Sequence, residues 1–184
     1  MCIRDRYSWS SKIINQSDLQ EVIKRQIIEP SLEKKIELNL NNSKLITNKI
    51  SKKVKQQYEE NPYPRWINTA LHFTPISISE FIKLAELRVE NDCFDGIKNP
   101  KILIAGCGTG QHSIDTASRF KNCKVLAVDL SLSSLAYAKR KTKELAIKNI
   151  KYMQADILDL SKLNKKFDII ESGGVLHHLS LIHI

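Results

Sequence analysis

Cysteine, aromatic residues and long apolar runs are all scarce in this chain. Its 4 cysteines in 184 residues form neither a paired framework nor the Cys-x-x-Cys spacing of a zinc ribbon, so neither a disulfide scaffold nor a structural metal organises the fold. No stretch approaches the roughly 20 apolar residues of a membrane span, and no secretory leader is visible. With 42% hydrophobic and 27% charged residues, the expectation is a soluble, cytoplasmic protein without a membrane partner. No internal repeat emerges. Acidic residues number 20 against 29 Lys and Arg, for a formal net charge of +9, but the surplus forms no basic arm. Its densest cluster, Lys139-Arg140-Lys141 with Lys143, falls on a helical segment whose inward face is Leu132, Leu135, Ala136 and Leu145. That reads as a solvated helix face, and nucleic acid is not an expected partner.

Both termini share one origin. Met1-Cys-Ile-Arg-Asp-Arg6 can be encoded by ATGTGTATAAGAGACAG, and the reverse complement of that string encodes Leu179-Ser-Leu-Ile-His-Ile184. One DNA element read in opposite directions, resembling a transposase adapter used in sequencing libraries, accounts for both. Residues 1–6 and 179–184 are therefore expected to be adapter-derived scars, and the chain a fragment of a longer protein.

What is present is concentrated after residue 100. The run Lys101-Ile-Leu-Ile-Ala-Gly106-Cys-Gly108-Thr-Gly110 reads as a buried strand ending in three alternate glycines, followed by a helix. Such a turn brings a ligand against main-chain N–H groups that a Cβ would block. Val125-Leu-Ala-Val-Asp129 is a second apolar strand whose acid lies 23 positions after Gly106, near the spacing of about 20 at which a carboxylate meets a ribose hydroxyl. A third strand, Ile150 to Asp156, again ends in an acid. Phe167-Asp-Ile-Ile-Glu-Ser-Gly-Gly-Val-Leu-His-His178 supplies a fourth that runs into a Gly-Gly turn. Helical segments between these strands predict an α/β fold with a parallel sheet and one binding crevice at the carboxyl ends of its strands.

In that order these motifs resemble the class I S-adenosylmethionine-dependent methyltransferases. Tyr58-Glu-Glu-Asn61-Pro-Tyr63-Pro-Arg65-Trp66 and Ala-Gly-Cys-Gly-Thr-Gly-Gln-His-Ser further resemble bacterial methyltransferase domains often joined to tetratricopeptide repeats. The resemblance implies a Rossmann-like methyltransferase fold, of which residues 99–178 would hold the first four strands, preceded by a helical region over 7–98. It also implies S-adenosyl-L-methionine as cofactor, an unidentified methyl acceptor, and protein partners reached through repeats outside this chain. The implied cofactor contacts are the turn Gly106, Cys107, Gly108, Thr109 and Gly110 at the homocysteine and ribose portions, with Asp129 and Leu130 at the ribose. Asp156 and Ile157 would meet the adenine, and Glu171, Ser172 and Gly173 the methionine portion. One position departs from the pattern: Ile104 stands where the family commonly carries an acid for the cofactor's amino group, so Glu171 or a backbone carbonyl would have to serve.

Local readings carry their own alternatives. A lone Asp at a strand end is usually a cap or turn residue, and Asp156 has Asp159 as a competitor. His177 and His178 have the right chemistry for a general base, or pack the next helix. Tyr58, Tyr63, Arg65 and Trp66 sit on a strap stiffened by Pro62 and Pro64; they form a lid over cofactor or substrate, or a clasp that packs the helical preface onto its domain.

In that preface, Ser17-Asp-Leu-Gln20 has capping-box form before Val22, Ile23, Ile27 and Ile28, with Pro30 expected to stop the helix. Further helices are expected over about 45–60 and 79–90, the latter capped by Ser77 or Ser79, with 91–100 as the loop into the sheet.

Rival classes fit less well. A nicotinamide-dependent dehydrogenase would need a small residue at position 111, which is Gln111. An amino-methylating DNA enzyme would show a proline and an aromatic after the fourth strand, where Glu171-Ser-Gly-Gly stands. The remaining alternative is a non-catalytic module on the same fold.

Overall fold

The structure, a computed structural model, describes residues 19–40, 46, 48–89 and 94–176. Residues 1–6 and 179–184, expected to be scars, and Ser17, Asp18, Cys93, His177 and His178 lie outside the described residues.

Four strands form one parallel sheet in the order β3-β2-β1-β4: β1 (Lys101–Ala105), β2 (Lys124–Asp129), β3 (Ile150–Gln154) and β4 (Ile169–Glu171). The apolar runs of β1 and β2 are buried because neighbouring strands and crossover helices cover them, whereas Ile170 of β4 stays exposed. Helix α5 (Gln111–Arg119) joins β1 to β2, and α6 (Leu132–Glu144) joins β2 to β3. Side chains alternate between the faces. Ile102, Ile104, Val125 and Ala127 pack with Leu135, Ala136 and Ala138 of α6, whereas Leu103, Ala105 and Val128 pack with Ala155 and Phe167 on the opposite face. A 3₁₀ turn (Ile157–Leu163) connects β3 towards β4. Strand order reverses between β1 and β4, so the crevice between their carboxyl ends is the topological switch point.

The preface is helical. Helix α1 (Gln20–Ile23) continues through a π-helical turn (Lys24–Ile28) into α2 (Glu29–Glu37). Contrary to expectation, Pro30 does not stop it. The wider π turn shifts the hydrogen-bond register, which places Pro30 in the first turn of α2, where its missing N–H costs little. Helix α3 (Lys49–Glu60) begins at Asn48, whose side chain accepts from Ile50 N and Ser51 N at 2.8 and 3.2 Å. Helix α4 (Ile78–Leu84) begins at Ser77 in a full capping box with Glu80. It ends six residues short of the expected 90, because Glu86 takes a left-handed φ of 52° while Leu87 N reaches back to Ile82 O.

Arg140 corrects the reading of the basic cluster as a solvated face. Only 4% exposed, its guanidinium pairs with Glu29, Glu33 and Glu144. One helix thus needs a cation on its inward side, because α2 packs there with two carboxylates. Lys141 also turns inward: its Nζ lies 4.9 Å from the Trp66 ring centre and donates to Ile67 O.

Candidate functional site

The glycine turn folds back on β2 before it meets anything else. Gly106 N and Cys107 N both donate to Val128 O at 2.9 Å, and Gly108 N donates to Asp129 Oδ2 at 2.8 Å. Asp129 Oδ1 accepts from Ser131 N at 2.9 Å, so one carboxylate ties the β1 turn to the start of α6. Burial pushes the Asp129 carboxyl above the usual range, against the pull of the Ser131, Gly108 and Leu130 N–H groups. Gln154, the residue before the third strand's Ala-Asp pair, donates to Leu130 O and fixes the next carbonyl.

The three glycines serve different ends. Gly106 has φ 78°, and a Cβ there would meet the Val175 side chain at 2.5 Å, so it admits the segment after β4. Gly110 has φ 85° and faces Ala138 of α6, where a Cβ would stand 2.5 Å from the alanine methyl; its bareness lets α5 and α6 approach. Gly108 differs: its nearest neighbour would be Tyr63 O at 3.7 Å, leaving room for a ligand.

Over this turn lies a cavity of about 440 Å³ walled by Gly106, Cys107, Gly108, Thr109, Asp129, Leu130, Ile157 and Gly173 from the sheet side, and by Val54, Tyr58, Tyr63 and Pro64 from the preface. That volume is within the range of small-molecule sites. Cys107 is buried, which pushes its thiol well up and leaves it unreactive.

The strap divides its labour. Tyr58 and Tyr63 face the cavity. Arg65 and Trp66, read as candidate lid residues, are off its wall. The Trp66 indole donates to Thr109 O at 3.1 Å, the Thr109 hydroxyl donates to Pro64 O, and the Tyr137 hydroxyl donates to Trp66 O. Arg65 bridges to Glu33 at 3.0 Å and lies over the Tyr137 ring. These two residues pack as a clasp because α6 offers them an aromatic shelf in Tyr137. Glu59 extends the same junction from α3: its carboxylate accepts from Leu132 N and Ser133 N at 3.0 and 2.9 Å, neutralising the start of α6.

Several other candidates stand outside the wall. The Asp156 carboxylate accepts from Leu158 N at 3.0 Å and caps the 3₁₀ turn, as a strand-end aspartate usually does. Ser172 Oγ donates to Ala105 O. Glu171 is turned towards α5, where its Oε2 lies 2.8 Å from His112 Nε2 and accepts from Thr116 Oγ1 at 2.7 Å. His112 itself reaches the cavity, as does Gln111. Sequence reasoning passed over both, although their position in the first turn after the last glycine was the available signal.

A doubly wound parallel sheet with a glycine turn at its switch point and an acid at the end of the neighbouring strand defines the Rossmann-like methyltransferase fold. Residues 102–183 match the family model described as a methyltransferase domain. The chain is similar to an uncharacterized protein of Rickettsia prowazekii, 33% identical over 134 residues that make up 73% of this chain and 48% of the relative. It is also similar to the release factor glutamine methyltransferase of Flavobacterium psychrophilum, 39% identical over 84 residues, 46% of this chain and 29% of that enzyme. Among solved structures, PKMT2 from Rickettsia typhi in complex with AdoHcy aligns at 30% identity with a TM-score of 0.42, over 46% of this chain and 16% of that one. The chain spans less than half the length of these relatives.

Proposed function

We propose that this chain binds S-adenosyl-L-methionine and belongs to a cytoplasmic methyltransferase that acts on an acceptor still to be identified. The observation that carries the reading is Asp129 beside the open Gly108 at the floor of the switch-point cavity. Here a carboxylate already oriented by two backbone N–H groups faces a space large enough for a nucleoside. The residues suit that cofactor: Leu130 and Ile157 offer an apolar slot for a purine, Asp129 offers acceptor oxygens to ribose hydroxyls, and Gly108 and Gly173 leave backbone room for the remainder.

When bound, the cofactor supplies an activated methyl group on a sulfonium. The chain's own residues would bind and orient it, and Tyr58, Tyr63 and Val54 would exclude water from above. No side chain of this chain need become a nucleophile. Contacts through tetratricopeptide repeats elsewhere in the parent protein belong to the same reading, as does selection of the acceptor by elements outside the described residues.

Calorimetric titration of S-adenosylhomocysteine into the wild-type chain and an Asp129→Ala variant tests this. Micromolar binding that the variant loses supports the cofactor site. No binding to demonstrably folded wild-type protein overturns it and favours the non-catalytic module.

A further inference from the structure

Among the described residues, the cavity wall holds one carboxylate, and both oxygens of that group, Asp129, already accept backbone N–H groups. A ligand ending in an ammonium group needs a second source of negative potential. Strand β1 provides none, since Ile102 and Ile104 are fully buried aliphatics. His112, Gly173 and Val175 line the same cavity as Leu130 and Ile157. The aliphatic pair suits a purine, and the imidazole suits the amino-acid portion of the same ligand.

The imidazole is held from behind. Glu171 Oε2 lies 2.8 Å from His112 Nε2 and takes a second hydrogen bond, from Thr116 Oγ1, at 2.7 Å. Burial pushes the Glu171 carboxyl up, but the hydrogen bonds from His112 and Thr116 outweigh it and hold the group below the usual range. In the neutral imidazole, the hydrogen that faces the carboxylate sits on Nε2, and the Nδ1 lone pair is free. Nδ1 faces Gly173, only 3.6 Å from where a Cβ on that glycine would stand.

Resting on the cofactor reading above, we propose that His112 is a cofactor-binding residue whose Nδ1 accepts the α-ammonium group of S-adenosylmethionine. Glu171 is its positioning residue, and its negative charge reaches the ligand through the ring. The arrangement gives β4 and α5 the task that β1 leaves undone at Ile104.

Two ligands separate this contact from a structural role: S-adenosylhomocysteine, which carries the ammonium group, and 5′-methylthioadenosine, which keeps the nucleoside and thioether but lacks the amino-acid portion. Titrations into His112→Ala, Glu171→Gln and Gly173→Ala should weaken the first by about tenfold or more and leave the second within about twofold, the scale of a hydrogen bond to a charged group. Gly173→Ala is the gentlest probe, because its methyl would cover Nδ1 at ordinary contact distance without a left-handed φ to strain it. Parallel loss of both ligands, or unchanged affinity for S-adenosylhomocysteine in the three variants, overturns the assignment. Equal affinity of the wild type for the two ligands also overturns it while the cofactor reading stands. If folded wild type binds neither, the cofactor reading fails and the assignment falls with it.

Discussion

The Arg140 guanidinium on α6 meets the Glu33 carboxylate on α2 at 2.9 Å, beneath a surface that leaves the arginine side chain 4% exposed. Glu29 at 3.1 Å and Glu144 complete its partners. The desolvation of this cluster is offset only while all its members are present. Arg140→Ala should therefore cost about 3 kcal/mol by stranding Glu29 and leaving Glu33 with Arg65 alone, read as a lowered urea midpoint with unchanged slope. A loss below about 1 kcal/mol would show that water reaches the carboxylates freely.

The glycine turn supports a contrast between two substitutions. Gly110→Ala combines a φ of 85° with a 2.5 Å approach to Ala138, so overpacking adds to backbone strain and about 2–4 kcal/mol should be lost. Gly108→Ala meets nothing closer than 3.7 Å and should cost about 1–2 kcal/mol for its left-handed backbone alone. Thermal unfolding ranks the two, and S-adenosylhomocysteine titration should show Gly108→Ala as the variant that folds but loses ligand.

Trp66 fastens the strap. Trp66→Phe keeps most of the packing against Tyr137, whose ring centre is 6.1 Å away, but leaves Thr109 O without the indole donor. The expected cost is about 1–2 kcal/mol. Trp66→Ala should cost about 3–5 kcal/mol. Chemical denaturation distinguishes them, and equal losses would mean that the ring contributes nothing beyond its hydrogen bond.

Acid should expose the Glu171 link. Its pKa in the folded protein lies below the ordinary 4.5, chiefly because the His112 and Thr116 hydrogen bonds overcome burial. A carboxylate with a depressed folded pKa binds its proton more weakly in the native state, so its stabilisation is complete above about pH 4.5 and fades as pH falls through the lower folded value. The stability gap between wild type and Glu171→Gln should close as pH falls from about 5 towards 3. Denaturation midpoints at pH 7, 5 and 3 measure it; a gap that widens in acid would contradict the sign.

Much of this molecule is legible in its residues alone. The strands are so because apolar runs such as Ile102–Ala105 and Val125–Val128 have no other stable fate than a covered sheet. The glycine turn and Asp129 are legible because their spacing is dictated by the size of one βαβ unit. Helix ends are less so. Glu86 and Ala146 adopt left-handed φ angles of 52° and 55° without being glycine, and nothing in residue type announces that. Pro30 misleads because a π turn is a matter of register and not of composition. Glu171 draws attention as a wall residue, yet its partner His112 stands on a different element, and only the parallel pairing of β1 with β4 brings the two together. Arg140 looks like one more surface cation until α2 is laid across it.

Glu59 bears on the chain's modularity. It closes the start of α6 from a helix that composition assigns to the preface, as Trp66 closes the back of the glycine turn. A segment cut to begin at the sheet would bare the Leu132 and Ser133 N–H groups, the Thr109 carbonyl and the apolar face of Tyr137 at one stroke. A copy lacking the first stretch would arrive with its ligand floor already unfastened.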